Sequence, residues 1–247
     1  LNSPSDSLGN VNIVPFYGVS LLGKSQYRRL RYGEVVPGII LAKMDCSLQD
    51  FYSAHVMDKQ SWWKLAYTLL RALYFLKTKN VVHGDIKTGN VLLKIEDGDV
   101  QFYLADFTSA KLFPKDLHDT AAHSDCDSLI TTLEYCPPEL IDGSGSMSYS
   151  TDLYSLGLVL LSAITRNEPY KQLLSLKNHG DMRTSNTLHQ TQWLMTAISK
   201  ATPLQFNVLD HSLKEEWANE LEFLKELLED RRGIEKCLSK VEGHFAR

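Results

Sequence analysis

Two short apolar runs near the middle of the chain, at residues 91–95 and 100–104, are separated by the polar segment EDGD. Gly98 in that segment supplies the positive φ of a tight reversal, so the pattern predicts a β-hairpin. Pairing outward from the turn places residues 90 and 105 opposite each other. We therefore expect Asn90 and Asp106 to lie side by side at the open end of the hairpin.

Apolar residues recur every three or four positions in two other stretches, as they do along one face of a helix. The first stripe consists of Trp62, Leu65, Leu69, Leu73 and Leu76, and the second of Leu213, Trp217, Leu221, Leu224 and Leu228. Ser61 is the predicted N-cap of the first helix. Both stripes are interpreted as core, with a partner-binding face as the alternative for the second.

Other stretches complete the prediction of elements. Residues 11–20 and 37–44 are predicted strands, and residues 47–58 a short helix. A longer hydrophobic helix is expected to start at Asp152 and to run to about Ile164. Residues 1–10, the basic stretch 24–31 and residues 141–150 are predicted loops, because they are rich in polar residues and glycine.

The composition excludes several classes of protein. The 247 residues include 43% hydrophobic and 23% charged residues, as in an ordinary globular protein. A net charge of −4 gives no reason to expect nucleic-acid binding, and no apolar run approaches the roughly 20 residues of a membrane span. The four cysteines form no CxxC pair, which favours free thiols in a reducing, cytoplasmic location. The chain begins with Leu, and we see no signal peptide.

The predicted hairpin brings together residues suited to phosphoryl transfer. Asp85 lies five residues before Asn90, on the loop that leads into the first strand. Asn90 and Asp106 would supply two oxygen ligands of the kind that Mg²⁺ prefers. A third carboxylate within reach, that of Asp85, could accept a proton from a hydroxyl nucleophile. Each residue alone would be interpreted as a turn former, and the hypothesis rests on finding them together on one hairpin.

Four motifs then resemble those of the eukaryotic-type protein kinase family, in the family's order. HGDIKTGN at residues 83–90 resembles the catalytic-loop pattern H-R-D-x-K-x-x-N, and DFT at 106–108 resembles D-F-G. TLEYCPPE at 132–139 resembles the segment that ends in A-P-E, and DLYSLG at 152–157 resembles the start of the large central helix of the lower lobe. The resemblance covers residues 11–240.

The resemblance implies roles for individual residues. Asp85 would orient and deprotonate the acceptor hydroxyl, and Lys87 would neutralise charge on the γ-phosphate of ATP. Thr132 matches the threonine that binds both of these side chains in Ser/Thr kinases. Asn90 and Asp106 would hold Mg²⁺. Asp152 is expected to cap the backbone of the catalytic loop and His83 to pack against Phe107. Glu139 is expected to pair with Arg231, with Arg232 as the next candidate.

The resemblance also implies an α+β fold, with a mainly helical C-lobe at residues 45–247 and an incomplete, β-rich N-lobe at residues 1–44. Ala42 would be the gatekeeper, with the hinge facing the adenine formed by Lys43, Met44 and Asp45. Leu92 would lie beneath the adenine, and Phe16 would join the apolar spine between the lobes. No glycine-rich loop, phosphate-binding lysine or partner glutamate precedes Val11.

Two residues depart from the family pattern. Gly84 replaces the usual arginine, which removes the main cation that would bind a phosphate on the activation segment, residues 109–131. We therefore expect activity that does not depend on that phosphate, although Thr120, Ser124, Ser128 and Thr131 are candidate phosphosites. Thr108 replaces the glycine of D-F-G and, being β-branched, should disfavour positive φ and restrict Asp106.

The favoured hypothesis is a Ser/Thr protein kinase that uses ATP and Mg²⁺, acts on protein substrates and has a possible regulatory protein partner. The first alternative is a pseudokinase or scaffold, which the absent phosphate-binding lysine favours and the intact Asp85, Lys87, Asn90 and Asp106 oppose. The second alternative is a small-molecule phosphotransferase, since H-G-D-x4-N also occurs in enzymes that resemble aminoglycoside and choline kinases. Such enzymes generally lack segments like PPE and DLYSLG.

Overall fold

The computed structural model describes residues 11–23, 25, 31, 33–113, 132–170, 192, 195–196, 198–200, 211–231 and 233–246. Within them the strands are β1 (Phe16–Leu22), β2 (Val36–Leu41), β3 (Cys46–Ser47), β4 (Val81–Val82), β5 (Val91–Glu96), β6 (Asp99–Leu104) and β7 (Lys111–Leu112). The α-helices are α1 (Leu48–Ala54), α2 (Lys59–Thr78), α3 (Pro138–Ile141), α4 (Tyr149–Thr165), α5 (His211–Glu216), α6 (Ala218–Lys225) and α7 (Ile234–Phe245). Thr88–Asn90 and Leu133–Tyr135 form 3₁₀ turns, and Glu226–Asp230 forms a π-helical turn.

The central hairpin has the predicted register. Strands β5 and β6 are antiparallel, with Val91 opposite Leu104 and Glu96 opposite Asp99. The two turn residues both have positive φ, 50° at Asp97 and 85° at Gly98. Two such residues make the turn type that matches the twist of a two-residue hairpin. Beyond the paired strands, the backbone N–H of Ala105 donates to the carbonyl of Asn90 at 2.9 Å, so residues 90 and 105 are neighbours as expected.

Both N-terminal strands are shorter than predicted: β1 begins five residues later than predicted, and β2 ends three residues earlier. Strand β1 pairs with β2 from Phe16 onward, whereas residues 12–14 add to the free edge of β6. Val14 N–H donates to the carbonyl of Leu104, and Leu104 N–H donates to the carbonyl of Asn12, both at 2.9 Å. The pairing register of β1 with β2 shifts between Phe16 and Gly18. The predicted strand 11–20 therefore pairs with β6 before this irregularity and with β2 after it.

The β1–β2 hairpin exposes an apolar surface. Four of its side chains are at least 64% exposed, namely Tyr17, Val19, Leu21 and Ile39. Phe16 is 52% exposed, so the expectation that it packs into an apolar spine is wrong. The buried apolar residues of this stretch are Ile13 and Val14, because they lie on the segment that pairs with β6.

Helix α2 packs against α4, β6 and α7, and it carries the predicted apolar stripe into the core. Its N-cap is Asp58, whose carboxylate accepts the backbone N–H of Ser61 at 2.8 Å. The prediction of Ser61 as N-cap is therefore wrong by three residues. Asp and Ser are both favourable N-cap residues. The helix begins at Lys59 because the Asp58 carboxylate accepts the N–H of Ser61 in the first turn.

Helix α4 starts at Tyr149, three residues earlier than predicted, because Ser148 and Thr151 form a reciprocal capping box. Every side chain of α4 from Thr151 to Ile164 is buried. A helix that is buried on all sides is a core helix. Among the described residues, no helix is long and apolar enough to cross a membrane.

The second apolar stripe is divided among α5, α6 and the π-helical turn. Trp217, Leu224 and Leu228 are buried, and Leu213 and Leu221 pack against the same core, which confirms the core interpretation. An aromatic cluster joins this region to α2. Its rings are Trp62, Trp63, Trp217, Phe223 and His244, with the Trp62 and Trp63 centroids 4.9 Å apart.

Parts of the prediction lie outside the described residues. These are the N-terminal loop 1–10, most of the basic stretch 24–31, and the candidate phosphosites Thr120, Ser124, Ser128 and Thr131.

Candidate active site

Helix α4 anchors the loop that carries the candidate catalytic residues. The Asp152 carboxylate accepts the backbone N–H of His83 at 2.8 Å and that of Gly84 at 2.9 Å, as expected. Burial raises the pKa of Asp152 to about 7, although both N–H donors oppose the shift. The loop between β4 and β5 is therefore fixed to the core helix at its first two residues.

His83 connects this loop to the segment after β6. Its Nδ1 accepts the backbone N–H of Asp85 at 3.3 Å, so the ring proton belongs on Nε2, which donates to the carbonyl of Ala105 at 3.0 Å. Burial lowers the pKa of His83 and favours this neutral form. The ring centroid lies 4.9 Å from that of Phe107, which confirms the expected packing.

Asp85, Lys87 and Thr132 form a closed triangle of hydrogen bonds, the catalytic triangle. Lys87 Nζ donates to Asp85 Oδ2 at 2.7 Å and to Thr132 Oγ1 at 2.8 Å. Thr132 donates to Asp85 Oδ1 from its hydroxyl at 2.9 Å and from its backbone N–H at 3.1 Å. Burial would raise the pKa of Asp85, but the bonds from Lys87 and Thr132 outweigh it and hold the pKa below its usual value. The triangle thus holds an ionised carboxylate.

Asn90 and Asp106 present oxygen atoms of the kind that Mg²⁺ prefers. Asn90 Nδ2 donates to the carbonyl of Asp85 at 2.8 Å and to Asp85 Oδ2 at 3.1 Å, which turns Asn90 Oδ1 away from Asp85. Asp106 is exposed and has a φ of 61°. The two oxygens fit a magnesium ion, whose remaining ligands would be water and phosphate oxygens, as is usual for this ion.

Thr108 holds Asp106 in a way that the sequence did not indicate. Its hydroxyl donates to Asp106 Oδ1 at 2.7 Å, and its backbone N–H reaches the same oxygen at 3.2 Å. Thr108 is outside the positive-φ region, as its β-branch predicts, while Asp106 itself adopts positive φ. Within the part of the chain that the structure describes, Asp106 Oδ2 has no hydrogen-bond donor.

The family model for the protein kinase domain matches residues 23–239, nearly the whole chain. This chain belongs to the eukaryotic-type Ser/Thr protein kinase family.

Curated relatives of this kinase chain carry the same family name. Serine/threonine-protein kinase ISR1 of Eremothecium gossypii is 46% identical over 222 residues, which cover 88% of this chain and 59% of that protein. ISR1 of Saccharomyces cerevisiae is 39% identical over 258 residues, covering 98% of this chain and 56% of that protein. Serine/threonine-protein kinase PKH2 of the same yeast is 32% identical over 181 residues, covering 69% of this chain and 14% of that protein. The kinase chain thus spans less than two thirds of the length of both ISR1 relatives.

The predicted hinge of the kinase joins β2 to β3. Ala42 N–H donates to the carbonyl of Pro15 at 2.9 Å, and Asp45 N–H donates to the carbonyl of Leu93 at 2.8 Å. The Asp45 carboxylate accepts the N–H of Ile95, which lowers its pKa together with the nearby Lys94. Among the described residues, the backbone N–H groups of Lys43 and Met44 donate to no backbone carbonyl, and their use by an adenine stays a prediction.

Leu92 lies on the partly exposed face of β5. It lies on β5 between Val91 and Leu93, whose side chains are fully buried on the helical side of the strand. Because side chains alternate along a strand, Leu92 faces the opposite side, where it is partly exposed. Contact of Leu92 with an adenine stays a prediction.

The late arginine of the kinase fold is the predicted one. Arg231 donates to the carboxylate of Glu139, and its guanidinium lies 4.6 Å from the ring centroid of Tyr154. This pair connects α3 to the turn that follows the π-helical segment. A half-buried ion pair of this kind is structural, and removing one partner leaves the other charge uncompensated.

Two features near the kinase site were not predicted from the sequence. Gly84 has a φ of 79°, and a Cβ built there would lie 2.7 Å from Met147 Cε and 2.9 Å from the carbonyl oxygen of Ser109. Glu168 accepts hydrogen bonds from hydroxyls on three different elements. No sequence pattern indicates either feature, since Met147 belongs to a glycine- and serine-rich loop and Glu168 belongs to the turn RNEPY.

Proposed function

We propose that this chain provides the catalytic machinery of a Ser/Thr protein kinase, which transfers the γ-phosphate of ATP to a serine or threonine hydroxyl of a protein. The catalytic triangle carries the proposal. It places an ionised carboxylate, an ammonium group and a hydroxyl at 2.7, 2.8 and 2.9 Å from one another, beside the end of a hairpin that presents two further oxygen ligands. Positioning and charge neutralisation are the main requirements of phosphoryl transfer.

In the proposed mechanism the acceptor hydroxyl donates a hydrogen bond to Asp85. Its oxygen bonds to the γ-phosphorus while the bond from that phosphorus to the bridging oxygen of ADP breaks, and Asp85 takes the hydroxyl proton. Lys87, held 2.7 Å from Asp85, offsets negative charge on the transferred group. Thr132 binds both the Asp85 carboxylate and the Lys87 ammonium group and so fixes their relative positions.

Asn90 and Asp106 would hold Mg²⁺, which neutralises phosphate charge when bound. Asn90 also acts without the ion, because its amide nitrogen binds Asp85 Oδ2 at 3.1 Å and helps to fix the direction of the carboxylate. Lys43, Met44 and Leu92 are proposed to contact the adenine, through two backbone N–H groups and one apolar side chain. Ala42 and Asp45 use their own N–H groups to hold the hinge in place.

The same site supports activity without a phosphate on residues 109–131. Position 84 carries no cation, and the contacts of Met147 and Ser109 leave no room for a side chain there. Positive φ at this residue adds a cost for any residue except glycine. We expect phosphatase-treated protein to keep its activity, as measured by phosphate transfer before and after treatment.

We also propose a cytoplasmic location and a regulatory protein partner. Cys46 and Cys136 are free thiols, which is typical of proteins from a reducing compartment. The location is tested by imaging the tagged native protein, and the partner by measuring whether purified protein gains activity when a cell extract is added.

The deciding experiment measures transfer from [γ-³²P]ATP to the protein itself and to basic and acidic protein substrates, with Mg²⁺. The native protein that contains these residues is compared with Asp85→Asn, Asp106→Asn and the surface control Asp142→Asn. We expect both site variants to lose nearly all transfer and the control to keep it. No transfer by the native protein would overturn the proposal and favour the scaffold, and transfer to small molecules alone would favour a small-molecule phosphotransferase.

A further inference from the structure

Glu168 lies on the turn after α4 and receives hydrogen bonds from three hydroxyl groups. Its Oε1 accepts from Tyr52 on α1 and, at 3.0 Å, from Thr88 on the first 3₁₀ turn. Its Oε2 accepts from Tyr135 on the second 3₁₀ turn. One carboxylate therefore joins three elements that are far apart in the sequence.

The three hydroxyls are inside the protein. Tyr52 and Tyr135 are each 2% exposed and Thr88 is 1% exposed, and Thr88 Oγ1 lies 2.9 Å from the hydroxyl oxygen of Tyr135. Burial and the neighbouring Glu168 raise the pKa of both tyrosines, so their hydroxyls stay protonated and act as donors. An ionised carboxylate has no proton of its own, so it can accept from all three groups.

Glu168 is not part of an ion pair within the described ranges. Its hydrogen-bond partners there are the three hydroxyls, and Arg166 on the same turn donates instead to the carbonyls of Tyr52 and Ser53. Glu168 itself is partly exposed, whereas the three hydroxyl-bearing residues are buried and have its carboxylate as an acceptor. A buried polar network of this kind is strong when complete and weak when one member is missing.

Two of the three hydroxyls belong to the loops that form the catalytic triangle. Thr88 directly follows Lys87, and Asn90 N–H closes the same turn on the carbonyl of Lys87 at 2.9 Å. Tyr135 N–H likewise donates to the carbonyl of Thr132 at 2.9 Å. A displacement of either hydroxyl therefore moves one side of the triangle relative to the other.

We propose that Glu168 is a positioning residue for phosphoryl transfer: through Thr88 and Tyr135 it holds the loop of Asp85, Lys87 and Asn90 against the segment of Thr132. The proposal rests on the proposed function for its effect on turnover, whereas its effect on loop rigidity is independent of turnover. Among the described residues, Glu168 makes no hydrogen bond to Asp85, Lys87 or Thr132, so its effect on them passes through Thr88 and Tyr135.

The test replaces the carboxylate by an amide of the same shape in the native protein. In Glu168→Gln, the NH₂ group that replaces one carboxylate oxygen cannot accept a hydrogen bond, so at least one of the three buried hydroxyls loses Glu168 as its acceptor. We expect amide hydrogen exchange to increase about tenfold in the peptides that cover residues 86–90 and 132–136, as fits the loss of a hydrogen bond to a charged group. Glu242→Gln, on the exposed side of α7, is the matched control.

Kinetics of the same proteins separate positioning from a general loss of structure. We expect kcat to fall about tenfold in Glu168→Gln while KM for ATP stays within about twofold, because the hinge is not part of the network. Tyr135→Phe keeps the ring and removes one donor, so it should change exchange and kcat in the same direction by a smaller factor. In the double variant Glu168→Gln, Tyr135→Phe, the factor by which kcat falls should be smaller than the product of the two single-variant factors, because both changes weaken the same network.

Unchanged exchange and kcat in folded Glu168→Gln and Tyr135→Phe would overturn the inference. If Glu168→Gln does not fold, Tyr135→Phe decides alone, and a result equal to that of the control would count against it. If the native protein transfers no phosphate, the proposed function fails, but the exchange measurement still decides whether Glu168 holds the two loops together.

Discussion

Thr132 contacts both charged members of the catalytic triangle, through bonds of 2.8 Å to Lys87 and 2.9 Å to Asp85. Thr132→Val keeps the shape of the side chain and removes the hydroxyl that makes these bonds. We expect kcat to fall about 10- to 100-fold with little change in KM for ATP, since hydrogen bonds to charged groups are worth about 1.5–3 kcal/mol. Steady-state kinetics check this, with Thr132→Ser, which retains a hydroxyl, as the control. Equal losses in the Val and Ser variants would show that the hydroxyl is not the active feature.

Gly84 combines positive φ with close contacts, whereas Gly98 has a similar φ of 85° and open space where a Cβ would lie. Gly98→Ala should therefore show the backbone cost alone, about 1 kcal/mol, and Gly84→Ala that cost plus overpacking against Met147, about 2–4 kcal/mol in total. Urea unfolding of the two variants measures the difference. Equal losses of stability in the two variants would mean that the Met147 side chain moves aside at no measurable free-energy cost.

At this scale the sequence identified the residues that carry charge in the site. Asp85, Lys87 and Thr132 could be placed because each belongs to a motif with a fixed spacing. The hydroxyl bond from Thr108 to Asp106 could not be predicted, because it depends on a rotamer. Glu168 could not be predicted either, because its partners are separated from it by between 33 and 116 residues.

Helix α4 carries a buried carboxylate whose pH dependence can be measured. The pKa of Asp152 is raised to about 7 in the folded protein from an ordinary value of 3.8, so the folded state binds the proton more tightly than the unfolded chain does. Its contribution to stability is therefore full below about pH 4 and is lost as pH rises through 7. Relative to Asp152→Asn, which does not titrate, the native protein should lose about 3 kcal/mol between pH 5 and pH 8.

The measurement is urea denaturation of both proteins at a series of pH values. Taking the difference between them cancels the other titrating groups. A difference that stays constant from pH 5 to pH 8 would show that the N–H groups of His83 and Gly84 keep Asp152 ionised throughout.

The predicted elements were most accurate where local chemistry alone determines them. The β5–β6 hairpin follows from its turn residues and alternating strands, and its register was right to the residue. The predicted starts of α2 and α4 were each three residues late, because Asp58 and Ser61 are competing caps of similar strength and the Ser148–Thr151 capping box was not recognised. Strand β1 starts later than predicted, because residues 12–14 pair with β6 and only the residues from Phe16 onward pair with β2.

At the scale of the whole molecule, the β1–β2 hairpin is the most apolar exposed region that the structure describes. Val19 and Ile39 are cross-strand neighbours, 64% and 71% exposed. Contiguous apolar surface of this kind promotes association. We expect the 247-residue chain to self-associate as its concentration rises, and the double variant Val19→Thr, Ile39→Thr to do so at clearly higher concentrations only.

Sedimentation velocity over a range of concentrations measures this association. Val56→Thr is the matched control, because Val56 is 75% exposed but lies outside the hairpin. Identical association of all three proteins would place the contact elsewhere on the surface.

The aromatic cluster of the helical region has a consequence for how the molecule can be observed. Three of the four tryptophans, Trp62, Trp63 and Trp217, are buried within it, at centroid distances of 4.9 Å and 6.3 Å from one another along the cluster. Indoles this close exchange excitation, so their fluorescence behaves as one shared signal with low polarisation. That signal follows the contact between α2 and Trp217, the residue that joins α5 to α6. The emission of these three indoles would remain steady while the β1–β2 hairpin or the catalytic loop loosens, and it would change only when the helical layer itself comes apart.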